Sequence, residues 1–151
     1  MPLLAHTPRV RENELEDLSQ WVYFLAPWSV YFTGTFRGEY SEQSTQRAFE
    51  RFMRKGYSSL SYFYSIESNP SREGHHVHAL FADCEGLYRR DMWSKWFKRF
   101  GRVEIEPVRS QADVAAYCSK HLVGYLTKDG GWWNFLLSSP DLWHRQKKGA
   151  S

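Results

Sequence analysis

Cysteine is scarce: the chain has two, Cys84 and Cys118, far apart and outside any Cys-x-x-Cys pair. That excludes a disulfide framework and a thiolate zinc site, and a reducing intracellular setting is the expectation. No apolar run approaches the length of a membrane span, and the start lacks the charged-then-apolar pattern of a secretory signal. A soluble, cytoplasmic protein with no membrane partner is therefore expected. Internal repeats and low-complexity blocks are absent. So is the Gly-x-x-x-x-Gly-Lys phosphate loop, which excludes a helicase motor of that class within these residues. Strong charge of one sign is also missing, with a formal net charge of only +3. A polyanion would have to be met by a local patch rather than by the total.

Aromatics, in contrast, are plentiful: seven Trp, nine Tyr and ten Phe in 151 residues, or 17%. The length fits one domain with a real core, and rings of that size supply much of it, with some left for stacking on bases. Residues 1–11 read as a flexible lead-in. Helical spacing of Leu15, Leu18, Val22 and Leu25 predicts a short helix over 12–25. Ser29–Phe36 reads as a strand. Ser41 is placed to cap a helix that Gly56 ends, with Ala48, Phe49, Phe52 and Met53 as its apolar stripe. Leu60–Glu67 is a second strand, with Tyr62, Tyr64 and Ile66 on the core face and Glu67 on the other. A turn through Asn69-Pro70-Ser71 and Gly74 leads into its hairpin partner, His75–Ala82. A helix over 88–100 is expected to bury Met92, Trp93, Trp96, Phe97 and Phe100. A fourth strand over 102–108 and a helix over 111–123, capped by Ser110 with Asp113 in a capping box, complete the order.

Two short motifs carry chemistry. In His75-His76-Val77-His78, strand alternation turns His76 and His78 to one face and Val77 to the other. Two imidazoles can hold a metal ion. Glu67, returned by the hairpin, is the expected third ligand, with Glu73 and Glu106 as the other candidates. Two imidazoles and a carboxylate leave open positions on a divalent ion, for which magnesium or manganese is expected. About forty residues later comes Tyr117-Cys118-Ser119-Lys120, where Tyr117 and Lys120 share a helix face. A phenol is a poor nucleophile at neutral pH, and a nearby cation together with Lys120 would favour its phenolate. Lys120 contacting phosphate is the other reading. His121, four residues after Tyr117, faces the same side and is expected to assist or to contact nucleic acid. Alone, either motif is common on ordinary surfaces; jointly they are specific.

At these residues the chain resembles the HUH endonucleases, named for His-hydrophobic-His, and within them the single-tyrosine replication initiator (Rep) proteins of rolling-circle plasmids, phages and small single-stranded DNA viruses. Tyr31-Phe32-Thr33-Gly34-Thr35-Phe36 is similar to the family's first motif, His76-Val77-His78 to the second and Tyr117-Cys118-Ser119-Lys120 to the third. The resemblance implies an α+β, RRM-like antiparallel sheet of four to five strands in βαββαβα order, with helices on one face and the tyrosine-bearing helix on the other. Residues 1–28 would be the lead-in and short helix, 29–125 the nuclease domain, and 126–151 an aromatic tail packed on the same domain. The implied activity is nicking and joining of single-stranded DNA, possible at a hairpin-bearing replication origin, through a 5′-phosphotyrosine on Tyr117, with His76, His78 and Glu67 holding the ion. A host helicase and polymerase would be the partners. Four residues beyond Tyr117 stands His121, and Tyr125 lies about 80° round the helix, so one nucleophile is expected rather than two.

Phosphate contacts are expected from Arg37, Arg72 and Lys120, with Lys128 a weaker candidate. The run Arg89, Arg90, Lys95, Lys98, Arg99 and Arg102 is the densest in basic residues and reads as a solvated helix side or a hold on flanking duplex. Two alternatives stay open. One is a single-tyrosine transposase of the same superfamily, whose tyrosine helix typically carries a glutamine where Lys120 stands. The other is a non-catalytic RRM-like module that stacks bases on Tyr31 and Phe63.

Overall fold

The computed structural model describes residues 3–5, 15–118 and 132–137, with side chains over 20–118 and at Phe135 and Leu136. The elements in chain order are β1 (Leu3–Ala5), α1 (Leu15–Leu25), β2 (Val30–Gly34), α2 (Glu42–Gly56), β3 (Ser61–Ser68), β4 (His75–Ala82), α3 (Arg89–Arg99), β5 (Val103–Pro107), α4 (Gln111–Tyr117) and β6 (Trp132–Leu137). The expected continuation of the last helix to Val123 lies outside the described residues. No described helix is long and apolar enough to cross a membrane.

The fold is α+β. Five strands in the order β6-β3-β4-β2-β5 form an open sheet, and the short β1 extends it by pairing with β6; every pairing is antiparallel. Four of the five come from alternating runs read correctly. β6 and β1 correct the expectation of a lead-in and a tail outside the sheet. Trp132–Leu137 is apolar at successive positions, so it has no period to read, and Leu3–Ala5 is too short to show one.

Each sheet face has its own core. Val30, Phe32, Tyr62, Tyr64, Ile66, Val77, Ala79 and Phe81 face α2 and α3, against Phe49, Phe52, Met53, Met92 and Trp96. On the other face, Phe63, Leu80, Ala82 and Phe135 are covered by Val22 and Leu25 of α1 and Val114 of α4. Ser41 Oγ accepts from Ser44 N at 3.0 Å and starts α2. Ser110 Oγ accepts from Asp113 N at 3.2 Å and starts α4. Each cap satisfies a helix-end donor that would otherwise be orphaned.

The helix α3 departs from its expected stripe. Met92 and Trp96 are fully buried and Phe100 nearly so, whereas Trp93 and Phe97 remain 44% and 43% exposed. The buried line runs i, i+4, i+8; Trp93 and Phe97 sit one residue, or about 100°, further round. The expected stripe was too wide because hydrophobicity alone was counted.

One glycine is demanded by packing. A Cβ at Gly34 would stand 2.6 Å from the Trp96 ring. That indole cannot retreat, being fully buried and held by its Nε1 donating to Thr35 O at 3.0 Å. Gly34→Ala is expected to lower stability by about 2 kcal/mol, as overpacking of a filled core does; a denaturation midpoint at the wild-type value would contradict this packing.

Candidate metal centre

The hairpin of β3 and β4 sets Glu67 opposite His76 and Ser65 opposite His78. Because register and alternation are locked together, Glu67, His76 and His78 share the face opposite the Tyr62–Tyr64–Ile66 core. Gly74 makes the return possible with φ 106°, a left-handed value that favours glycine, and its carbonyl accepts from Asn69 N at 2.9 Å.

Three ligand atoms converge there. His76 Nε2 and His78 Nε2 are 3.2 Å apart; Glu67 Oε2 lies 3.2 Å from the first and 3.0 Å from the second. Two ring nitrogens and a carboxylate oxygen at this spacing repel unless a proton or a cation lies among them. Ligands bound cis to one another at about 2.1 Å on an octahedral ion stand about 3 Å apart. The triangle fits that requirement, so this group could hold a metal ion. Among the described residues it is the one such grouping of three. Glu73 and Glu106 are not brought in; Glu106 pairs across β2, opposite Tyr31. His75 turns away and bonds through Nδ1 to Tyr40 O at 2.9 Å.

The outer nitrogens are also engaged. His76 Nδ1 lies 2.9 Å from Asn69 Oδ1, which can only accept, so Nδ1 carries the proton and the Nε2 lone pair faces the triangle. His78 Nδ1 lies 3.2 Å from Thr33 Oγ1. Such contacts fix the tautomer and orientation of ligating imidazoles. Burial alone would raise the Glu67 carboxyl, but its hydrogen bonds to His76 and His78 outweigh that and hold it down at about 2. At neutral pH it is an ionised ligand.

Tyr117 sits at the end of α4, directly beside this cluster. Its hydroxyl donates to Phe32 O at 3.2 Å and lies 3.4 Å from His78 Nδ1. Its ring packs on Tyr31, centroids 4.6 Å apart. The phenol is thus one imidazole ring away from the ligand triangle, behind His78 rather than in front of it. Burial pushes its pKa up, and the hydrogen bond from Thr33 only partly offsets this. The phenolate expected beside a cation and Lys120 is not the form this position favours. Lys120 and His121 lie outside the described residues, as do Tyr125 and Lys128.

A groove of about 730 Å³ opens beside His76, lined by Asn69, Arg72, Arg37, Arg102 and Thr33 among others. The expected phosphate contacts Arg37 and Arg72 are both here. Arg72 Nη2 donates to Phe36 O at 2.7 Å. Arg37 donates to Phe97 O and, at 3.4 Å, to Lys98 O. These bonds aim each fork while leaving further N–H groups for an anion. Sequence reasoning gave no role to Thr33 or Asn69 and left Arg102 with the α3 charges. Alternation could have found Thr33, which pairs with His78; Asn69 was hidden by its turn-forming character. The strand aromatics of the RRM-like alternative are not accessible: Phe63 is fully buried and Tyr31 packs under Tyr117.

No family model matches the chain, and no curated protein or solved structure matches it. What the site can do follows from its own geometry: hold a cation by three ligands, with a guanidinium-lined groove on one side and a tyrosine hydroxyl on the other.

Proposed function

We propose that this chain is a metal-dependent endonuclease that nicks and rejoins single-stranded DNA through a covalent bond to Tyr117. The observation that carries this reading is the convergence of Glu67, His76 and His78 within 3.2 Å, with the Tyr117 hydroxyl 3.4 Å from the outer nitrogen of His78. Support also comes from the strand order. Over β2 to β5 the succession is βαββαβ and the spatial order β3-β4-β2-β5, the split-βαβ arrangement that the likeness to Rep proteins implies.

A bound manganese or magnesium ion would polarise the phosphate oxygens and make the phosphorus more electrophilic. The rest belongs to the chain. Asn69 and Thr33 orient the imidazoles. Arg37, Arg72 and Arg102 neutralise phosphates beside the scissile bond. Tyr117 leaves Phe32 O, turns its oxygen to phosphorus and loses its proton to solvent. The Oη–P bond forms as the P–O3′ bond breaks, and the departing 3′ oxygen takes up a proton. Reversal of these steps joins a 3′-hydroxyl to the tyrosine-bound 5′ phosphate. A transposase and a replication initiator share this chemistry; the initiator reading is preferred because Lys120 stands where those transposases typically carry a glutamine.

The direct test is a denaturing gel of the protein with candidate origin-derived single strands and manganese. A manganese-dependent band at the mass of protein plus oligonucleotide is expected. Binding without any such band, over hairpin-bearing and linear strands alike, would return the protein to the non-catalytic class.

A further inference from the structure

Four large hydrophobic side chains are exposed among the described residues: Phe24, Tyr88, Trp93 and Phe97. Three of the four belong to α3 and its N-cap position. Trp93 and Phe97 stack on each other with centroids 4.9 Å apart and planes 6° from parallel. The Arg37 guanidinium lies over the Phe97 ring at 5.1 Å. A pocket of about 880 Å³ adjoins this stack, lined by Tyr88, Arg89, Arg90, Trp93 and Ile105 among others. Arg37 also lines the groove beside His76. One residue therefore joins the two: the cationic groove passes through Arg37 onto an aromatic stack, then onto two more arginines.

We propose that this surface is a track for the single strand flanking the metal-bound phosphate, with bases stacking on Trp93 and Tyr88 and phosphates held by Arg89 and Arg90. The inference rests on the nuclease reading for its direction, since the groove at His76 is where the track begins. Charge and rings favour nucleic acid over a protein partner. Exposed aromatics interleaved with guanidinium groups are what a sequence-tolerant single-strand site needs, because every base has a stacking face and every linkage a phosphate. The one acidic residue in the first turn of α3, Asp91, is offset by Lys95 at 3.1 Å. The route is further constrained by β5. Glu104 pairs with Thr33 and Glu106 with Tyr31, so both stand exposed on the histidine face of the edge strand. A polyanion is repelled there and is steered past the strand ends, by Arg102 and Arg37, onto α3. This also gives the outer ring pair of α3 a role that core packing does not.

The test is fluorescence anisotropy with a labelled oligothymidylate of about 20 nucleotides, in chelator so that neither cleavage nor metal contributes. Trp93→Ala is expected to weaken binding about 10-fold, the usual effect of one lost stacking platform. The double variant Arg89→Ser/Arg90→Ser is expected to reduce the salt dependence of log affinity by about two. Trp93 is half-exposed, and Met92 and Trp96 keep the helix seated, so circular dichroism melts should stay near wild type. Photocrosslinking with 4-thiothymine should label peptides covering 88–97. Affinity within twofold of wild type in both variants, with no label at 88–97, overturns the track. So does a concentration-dependent mass that Trp93→Ala abolishes while oligonucleotide binding is unchanged, which would make the patch a self-association surface. The two readings fail separately. A tyrosine adduct without any Trp93 effect removes only the track; a Trp93 effect without an adduct removes only the nuclease chemistry.

Discussion

Tyr117→Phe will form no covalent adduct with DNA, while binding manganese within about threefold of wild type. The first half follows from atom balance: without Oη there is no oxygen to bond to phosphorus, and no other tyrosine is placed to substitute. Tyr31 is the neighbouring phenol, but its ring lies beneath Tyr117 and burial pushes its pKa up to about 12. The second half follows from position. The hydroxyl meets His78 at Nδ1, not at the nitrogen that faces the triangle, and Thr33 remains to hold that outer nitrogen. Phenylalanine keeps the ring against Tyr31, so the fold loses only a hydrogen bond to Phe32 O, worth about 1 kcal/mol. Mass spectrometry of the reaction with a single-stranded substrate reads the adduct, and calorimetry reads the metal. An adduct that persists in Tyr117→Phe would remove this residue as nucleophile. A loss of metal binding beyond about 10-fold would instead place the hydroxyl among the groups that hold the ion.

The placement of Tyr117 explains what the sequence made legible and what it did not. Local rules with a fixed period carried the furthest. Alternation along Ser61–Ser68 and His75–Ala82, with a turn between, sufficed to bring Glu67 opposite His76 and to turn His75 away. Helix starts at Ser41 and Ser110 were legible because a cap is a contact within four residues. The resting state of Tyr117 was not legible: its partner Phe32 O is 85 residues away, and burial there opposes the phenolate that local charge arguments favour. Asn69 looked like a turn residue and is one, yet its side chain also reaches His76. β6 gave no sign of itself, because six apolar or amide residues without alternation fit a strand or a helix equally. On α3, hydrophobicity could not distinguish rings that fill a core from rings that face outward; only the neighbours across the sheet decide that Trp96 is buried and Trp93 is not.

Removing the ligands of the triangle has the other large effect. His76→Ala and His78→Ala are each expected to weaken manganese binding more than about 100-fold and to abolish cleavage, since each deletes one of three atoms that meet at 3.0–3.2 Å. Glu67→Gln should lower affinity as well, because the amide keeps the shape but loses the only formal charge in the donor set. Asn69→Ala separates orientation from ligation. It leaves all three ligand atoms in place and frees the His76 ring to turn or to change tautomer, so a loss of about 10- to 100-fold is expected. Metal binding should release protons, as both imidazoles must be neutral to ligate, and the heat measured in buffers of different ionisation enthalpy will report it. Manganese electron paramagnetic resonance gives a readout independent of activity. Affinities in His76→Ala and His78→Ala within about threefold of wild type would mean that the ion, if the protein uses one, is held elsewhere. If Asn69→Ala proved as damaging as His76→Ala, the amide oxygen itself would have to be counted as a ligand, and the triangle would be one corner of a larger site.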